Sequence, residues 1–367
     1  MSRYSLADLF ASALWRTVGP LIALLMALGV SGILIVMVGA DPITAYGAMI
    51  VGSVGSVDAL ATTGVRMTPL LLAGLGVALS FRCGVWNIGA EGQLYAGAIG
   101  ATIIGVMPVS LPMIVHLPLA IIVGFIAGAL WAAIPGYFRA YRGVSEVVLT
   151  LMFNYVGIQL ASYMVDTRSG PLGERGAAYS QSHLIADSTR LPILIPGTSL
   201  HAGLILAVLL AIGLYIVVRY TTFGFRLRMV GANPVAAAYA GVNTARQIMW
   251  VMLLSGGLAG LAGAAEVLGL KYRLFENFSP GYGYDAIAVA LLANNNPLGV
   301  ILSSGFFGAL RAGANRMQQT AGIEVSVILI IQALTVLFVV AGVLVGWLAS
   351  RRARMQTPRQ EEVVYAD

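Results

Sequence analysis

FRCGVWNIGAEGQLYAGAIGA, residues 81–101, sets Asn87, Glu91 and Gln93 within seven residues, yet apolar runs flank it on both sides. A soluble protein would turn such residues to water, but this chain has little polar surface to offer. Of its 367 residues 59% are hydrophobic and 10% are charged, with a mean hydropathy of +0.87. Soluble domains carry roughly 25% charged residues. A chain of this length cannot hide so much apolar surface in one core, so lipid must solvate most of it. The expected fold is an all-α polytopic membrane protein.

A spanning helix needs about 20 mostly apolar residues. Candidate spans are 17–39, 59–81, 87–107, 113–137, 146–165, 201–219, 247–270, 297–313 and 325–349. A shorter segment, 283–293, reads as a broken helix, which makes about ten segments and puts both termini on one side. The first run is too long for a signal-peptide core and reads as uncleaved. Thirteen of the 21 Lys and Arg residues, among them Arg16, Arg82, Arg139, Arg142, Arg219 and Arg246, fall on the side of the termini. Seven fall on the other side, including Arg168, Arg175, Arg190 and Arg273, and Arg66 lies inside a span. By the positive-inside rule both termini are cytoplasmic. The resulting domains are an N-terminal segment 1–16, a transmembrane domain 17–350 and a disordered cytoplasmic tail 351–367. Within the second lie an external loop, 166–200, and an internal loop, 220–246.

The 44 glycines suit close helix packing, with Gly124/Gly128 and Gly256/Gly260 at GxxxG spacing. A single cysteine, Cys83, excludes an intrachain disulfide and reads as a small packed residue. His116, His183 and His201 stand outside any HExxH or CxxC context, so no metal site or intramembrane hydrolase is supported. The phosphate-binding pattern GxxxxGK[ST] is absent, and Lys271 sits in GLKYRL without the required glycines. The chain has no catalytic residues of that kind.

Inside the internal loop, FGFRLRMVGANPVAAAYAGVNTARQ reads as a short helix lying outside the membrane. Asn233 suits the N-cap, Pro234 the first helical position and Gly241 a left-handed stop. Two turns of helix are not stable alone in water, so this one must dock on something.

GANPVAAAYAGVN, residues 231–243, resembles the coupling-helix segment of permease subunits of bacterial ABC importers. GVWNIGAEGQLYAGA, GVSEVVLTLMFNYV and ALLANNNPLGVILSSGFFGAL are similar to stretches shared by the nucleoside-type branch of the ribose and simple-sugar permease superfamily. The resemblance covers about residues 15–350 and departs at Ala293-Asn294, where relatives often carry a glycine and a basic residue. It implies a multi-pass subunit of the bacterial cytoplasmic (inner) membrane that translocates nucleosides delivered by an external binding protein. It further implies a second permease subunit, a different chain, and a separate ATPase that carries the ATP and Mg²⁺. No cofactor is expected on this chain, and no nucleic acid. Gly231, Asn233, Pro234, Ala236, Ala237, Tyr239 and Gly241 would couple it to the ATPase. Ribose-like sugars or riboflavin are alternative cargoes, and an ion-coupled secondary transporter is the reading from another class.

The opening stretch then has two readings. Counted on a helix, Asn87, Glu91 and Tyr95 share one face and Gln93 falls off it, while Glu146, Thr150 and Asn154 repeat the pattern on a second helix. Charged groups at membrane depth must face protein, water or one another. These two stripes either cap and pair helices or line a polar substrate pathway. Asn294, Asn295 and Asn296 before Pro297 mark a third pathway position, or a simple turn with caps.

Overall fold

The computed structural model describes residues 25–26, 28–323, 330, 333–334, 337–338 and 341. The expected segments 1–16 and 351–367, most of span 325–349 and part of span 17–39 lie outside these, as do both termini. The described helices are α1 (Leu28–Met37), α2 (Pro42–Val54), α3 (Val57–Arg82), α4 (Ala90–Gly105), α5 (Met113–Arg142) and α6 (Glu146–Val165). After a long connection follow α7 (Gly203–Tyr220), α8 (Thr222–Ala232), α9 (Pro234–Tyr239), α10 (Thr244–Glu266), α11 (Tyr282–Leu292) and α12 (Pro297–Ala321). Only isolated β-bridges, not strands, occur among the described residues.

Among the described residues six helices are long and apolar enough to cross a membrane: α3, α5, α6, α7, α10 with its extension to Lys271, and α12. The number becomes seven if the bent pair α1 and α2 is one span. Ten segments were expected; α4, with 16 residues, and α11, the expected short segment with 11, fall below spanning length, and most of the expected span 325–349 lies outside the described residues. Two further elements occupy stretches read as loop. Asp41, directly before Pro42, accepts the backbone N–H groups of Ile43 (3.1 Å) and Thr44 (2.9 Å) and so starts α2. In the internal loop Thr221 caps α8 by accepting Gly224 N–H at 3.2 Å.

The chain divides into two compact units, residues 47–317 and residues 1–46 with 318–367. In the smaller, the Tyr46 hydroxyl donates to the Leu28 carbonyl at 2.6 Å. In the larger, α10 is the central pillar, packed on α3, α4 and α5. Lipid gives apolar side chains no reason to leave it, so close packing and hydrogen bonds hold such helices together. Glycine permits that approach. The two GxxxG pairs noted in the sequence lie against one another: a methyl on Gly128 would stand 2.4 Å from the Gly256 carbonyl oxygen and 2.6 Å from the Gly260 Cα. At the same residue of α10, a methyl on Gly97 would stand 2.1 Å from the Gly260 carbonyl oxygen. α4 is therefore buried on nearly every face, whereas α5, α6 and α7 expose apolar residues such as Ile114, Met152 and Leu209 to lipid.

Candidate polar pathway and coupling site

α4 begins inside the bundle, so its first N–H groups need partners that water cannot supply. α6 provides them at one-turn intervals. Glu146 Oε1 accepts Trp86 N–H (3.1 Å), Thr150 Oγ1 accepts Ile88 N–H (3.3 Å) and Asn154 Oδ1 accepts Gly92 N–H (2.8 Å). Asn154 also donates to the Ile88 carbonyl at 2.9 Å. The other carboxylate oxygen of Glu146 meets Arg139 at 3.1 Å. The stripe read from the sequence on α6 is thus a row of caps for the lead-in to α4.

Asn87 precedes α4 instead of belonging to it, so the helical count that grouped it with Glu91 and Tyr95 does not apply. Gln93, expected to point elsewhere, is its partner. The two side-chain amides bond reciprocally at 3.0 and 2.9 Å, and Asn87 also donates to Ser255 Oγ at 2.8 Å. Ser255 in turn donates to the Gly76 carbonyl at 2.7 Å, which ties the α4 lead-in to both α10 and α3.

α4 passes the same service on to α11. Glu91 Oε2 accepts Gly283 N–H at 2.6 Å, the Tyr95 hydroxyl accepts Ser279 N–H at 3.4 Å, and the Tyr95 ring meets Phe278 at 4.7 Å. At its far end α11 stops in a left-handed turn, with φ of 50° at Asn294 and 56° at Asn295. Asn296 then accepts Leu298 N–H at 3.1 Å and Pro297 opens α12. Asn294 and Asn296 are exposed, and the Asn295 carbonyl accepts from Arg82, at the end of α3, at 3.3 Å.

The segment 231–243 stands at this same end. Asn233 accepts the N–H groups of Val235 (2.9 Å) and Ala236 (3.0 Å), and Gly241 has φ of +82°. Ala237 alone of α9 is buried, in a cluster with Leu79, Cys83, Leu227, Val251 and Met252. Val235, Ala236 and Tyr239 are exposed, Tyr239 at 90%. Gly231 lies so close to the end of α3 that an added methyl would sit 2.1 Å from the Arg82 carbonyl oxygen. A contiguous route thus runs from α9 through α8 and Arg82 to the α11–α12 break.

A charged group also surrounds the far end of α10. Glu266, its last residue, is buried, and Oε2 has no hydrogen-bond partner. Arg66 donates to the Tyr282 hydroxyl at 3.1 Å, and Lys271 donates to the Phe278 carbonyl at 2.8 Å. Arg311 donates to Asp285 Oδ2 at 2.6 and 2.9 Å and lies 4.9 Å over the Tyr282 ring. In the sequence Glu266 and Asp285 are acids set within apolar stretches. The available signal for Arg66 was a charge inside an otherwise apolar run.

The long connection 166–202 is fastened to the segment after α10. Glu174 pairs with Arg273, Gln181 donates to Glu174 at 2.7 Å, and Arg190 lies 4.8 Å over the Tyr272 ring. Hydrogen bonds from Gln181 and Arg273 hold the Glu174 carboxyl below its ordinary value of 4.5.

The family described as the permease component of the branched-chain amino acid transport system matches residues 59–340. The glucose ABC transporter permease protein of Haloferax volcanii is 38% identical over 337 residues, covering 89% of this chain and 88% of that one. The guanosine ABC transporter permease protein of Bacillus subtilis is 38% identical over 324 residues, covering 87% and 92%. The nucleoside ABC transporter permease protein NupB of Lactococcus lactis is 30% identical over 326 residues, covering 87% and 89%. No solved structure matches the chain.

Proposed function

We propose that this chain, which belongs to the branched-chain amino acid transport system permease family, is the membrane-spanning permease subunit of an ATP-binding cassette importer for nucleosides. The cargo is carried over from the guanosine and nucleoside permeases among its relatives. Simple sugars are the second reading, favoured by a glucose permease of equal identity. The chain works in the bacterial cytoplasmic membrane with both termini inside, an orientation supported by its arginine bias. ATP and Mg²⁺ act on a separate ATPase, an external binding protein delivers the solute to the 166–200 loop, and a second, different permease chain completes the path.

The observation that carries the coupling half of this reading is α9. A six-residue helix, capped at both ends and held by one buried alanine, offers Val235, Ala236 and Tyr239 to something outside the chain. Movement of α9 reaches Arg82 through the close contact at Gly231, and Arg82 holds the break at Asn295. The polar path follows the cross-capped ends of α4 and α11, by Asn87, Glu91, Tyr95, Glu146, Thr150 and Asn154, toward the 294–296 turn. A solute must leave as readily as it enters, so weak contacts suit the task.

Uptake of labelled adenosine and uridine in cells holding the partner subunits tests the cargo, with excess ribose as competitor. Nucleoside uptake that depends on this gene and resists ribose is expected. Replacing Gly231, Pro234 or Gly241, with membrane insertion checked, should abolish that uptake. Uptake left intact by all three replacements would remove the ATPase-coupling claim.

A further inference from the structure

We propose that Glu266, with Arg66 and Tyr282, forms a solute-contact site in the path that takes a vicinal diol, such as the 2′,3′-hydroxyls of a ribose. This rests on the reading of the chain as a permease and deepens it by naming where the cargo is held. Among the described residues five buried side chains leave a polar atom unpartnered, and Glu266 supplies the one carboxylate. Leaving a carboxylate at membrane depth without a partner is costly, so an ionisable residue there points to function by default.

The local backbone carries the same sign independently. α10 ends directly after Glu266 and gives way to a π-helical turn, Val267–Lys271, closed by Tyr272 at φ of 56°. Wide turns of this type, and left-handed conformations in residues other than glycine, cost free energy and recur at functional sites.

The surroundings select the ligand chemistry. Arg66 is bound to the Tyr282 hydroxyl and Lys271, five residues after Glu266, to the Phe278 carbonyl. No cluster of three His, Cys, Asp or Glu residues suited to a metal occurs among the described residues. A neutral solute rich in hydroxyls fits better. A carboxyl group bonds hydroxyls in either protonation state, accepting an O–H when ionised and also donating one when protonated, and a vicinal diol offers two hydroxyls side by side. Arg66 has five donors and spends one on Tyr282, while Lys271 has three and spends one on Phe278. Both retain donors for the oxygen lone pairs of the same solute. Ribonucleosides and free sugars share this chemistry.

The test uses the complete importer, with its ATPase and binding protein, in liposomes. It compares turnover of adenosine with that of 2′,3′-dideoxyadenosine, each at saturation. Loss of hydrogen bonds to a charged group implies a wild-type ratio of at least about tenfold in favour of adenosine. Glu266→Gln should bring the ratio toward one, and Tyr282→Phe, which keeps the volume, should lower it partway. A wild-type ratio near one, or variants that slow both nucleosides equally, would overturn the site. So would inhibition by AMP stronger than by adenosine, since the cluster would then serve an anion. If the wild-type complex moves ribose and neither nucleoside, the cargo reading fails instead. The site is then judged by the same ratio for ribose against 2-deoxyribose.

Discussion

Replacing Gly128 by alanine puts a methyl group 2.4 Å from the Gly256 carbonyl oxygen and 2.6 Å from the Gly260 Cα, where ordinary contact begins at 3.4 Å. The obstacles are backbone atoms of α10, so no side chain can rotate away. α5 and α10 must part by about 1 Å, which forfeits a quarter to a half of the dispersion energy of each facing atom pair. Overpacking of this kind costs about 1–3 kcal/mol, and backbone against backbone belongs at the upper end. Alanine returns up to about 1 kcal/mol through its helix preference over glycine. The net loss is about 2 kcal/mol, a roughly thirtyfold fall in the folded-to-unfolded ratio. Reversible unfolding of the purified chain in bicelles, driven by SDS, measures it. Gly213→Ala is the internal control, because a methyl there meets nothing within 4 Å. It should be neutral or slightly stabilising. If Gly128→Ala matched Gly213→Ala, the glycine seam would not be what sets the α5–α10 distance.

Asn154→Ala removes the acceptor of Gly92 N–H and the donor to the Ile88 carbonyl, leaving two buried backbone groups unpaired. The same unfolding assay should register a loss of about 3 kcal/mol, at 1–3 kcal/mol for each orphaned group. Arg82→Ala cuts the link from the coupling end to Asn295. In the reconstituted importer it should leave stimulated ATPase activity in place while uptake falls several-fold, and equal losses of both would refute a transmitting role. The Glu174 carboxyl, held below 4.5 by Gln181 and Arg273, contributes stability that is present above 4.5 and lost as pH falls through its lowered value. Cleavage of the 166–202 connection by an acid-active protease should therefore accelerate below pH 4.5, and Glu174→Gln should flatten that dependence.

The parts of this molecule legible in its sequence are those decided within a few residues. The Asn233-Pro234 start and Gly241 stop of α9, and the Asn296-Pro297 start of α12, depend on local dihedrals and local N–H groups. Asp41-Pro42 carries the same signal for α2, a helix that lies between the expected spans 17–39 and 59–81. The GxxxG spacings named the right glycines, though spacing alone could not say that the two pairs face each other. What stayed illegible is non-local. Whether Glu146, Thr150 and Asn154 line water or cap a helix depends on Trp86, Ile88 and Gly92, about sixty positions away. Hydropathy records only that such residues are costly in lipid and says nothing of which backbone group meets them. The start of α4 moved from Asn87 to Ala90 for a similar reason. Asn87 spends its amide on Gln93 and Ser255, and the latter lies on another helix.

The buried acids also bear on where energy enters this transporter. An ion-driven carrier needs an acid that is open to a cation and free of fixed partners. Glu91 is engaged by Gly283 N–H, Asp285 by Arg311 and Glu146 by Arg139 and Trp86 N–H. Those three are spent on cross-capping and ion pairing, and Glu266, whose Oε2 has no hydrogen-bond partner, is the group of the proposed solute site. The surface that does lack a partner is α9, where Val235 and Tyr239 stand exposed on a helix too short to hold itself. One rigid contact away, at Gly231, lies the end of α3, whose Arg82 grips the broken α11–α12 turn. A push delivered at α9 thus reaches the interruption in the helices without passing through any titrating group, which favours an engine docked outside the membrane over one driven by ions within it.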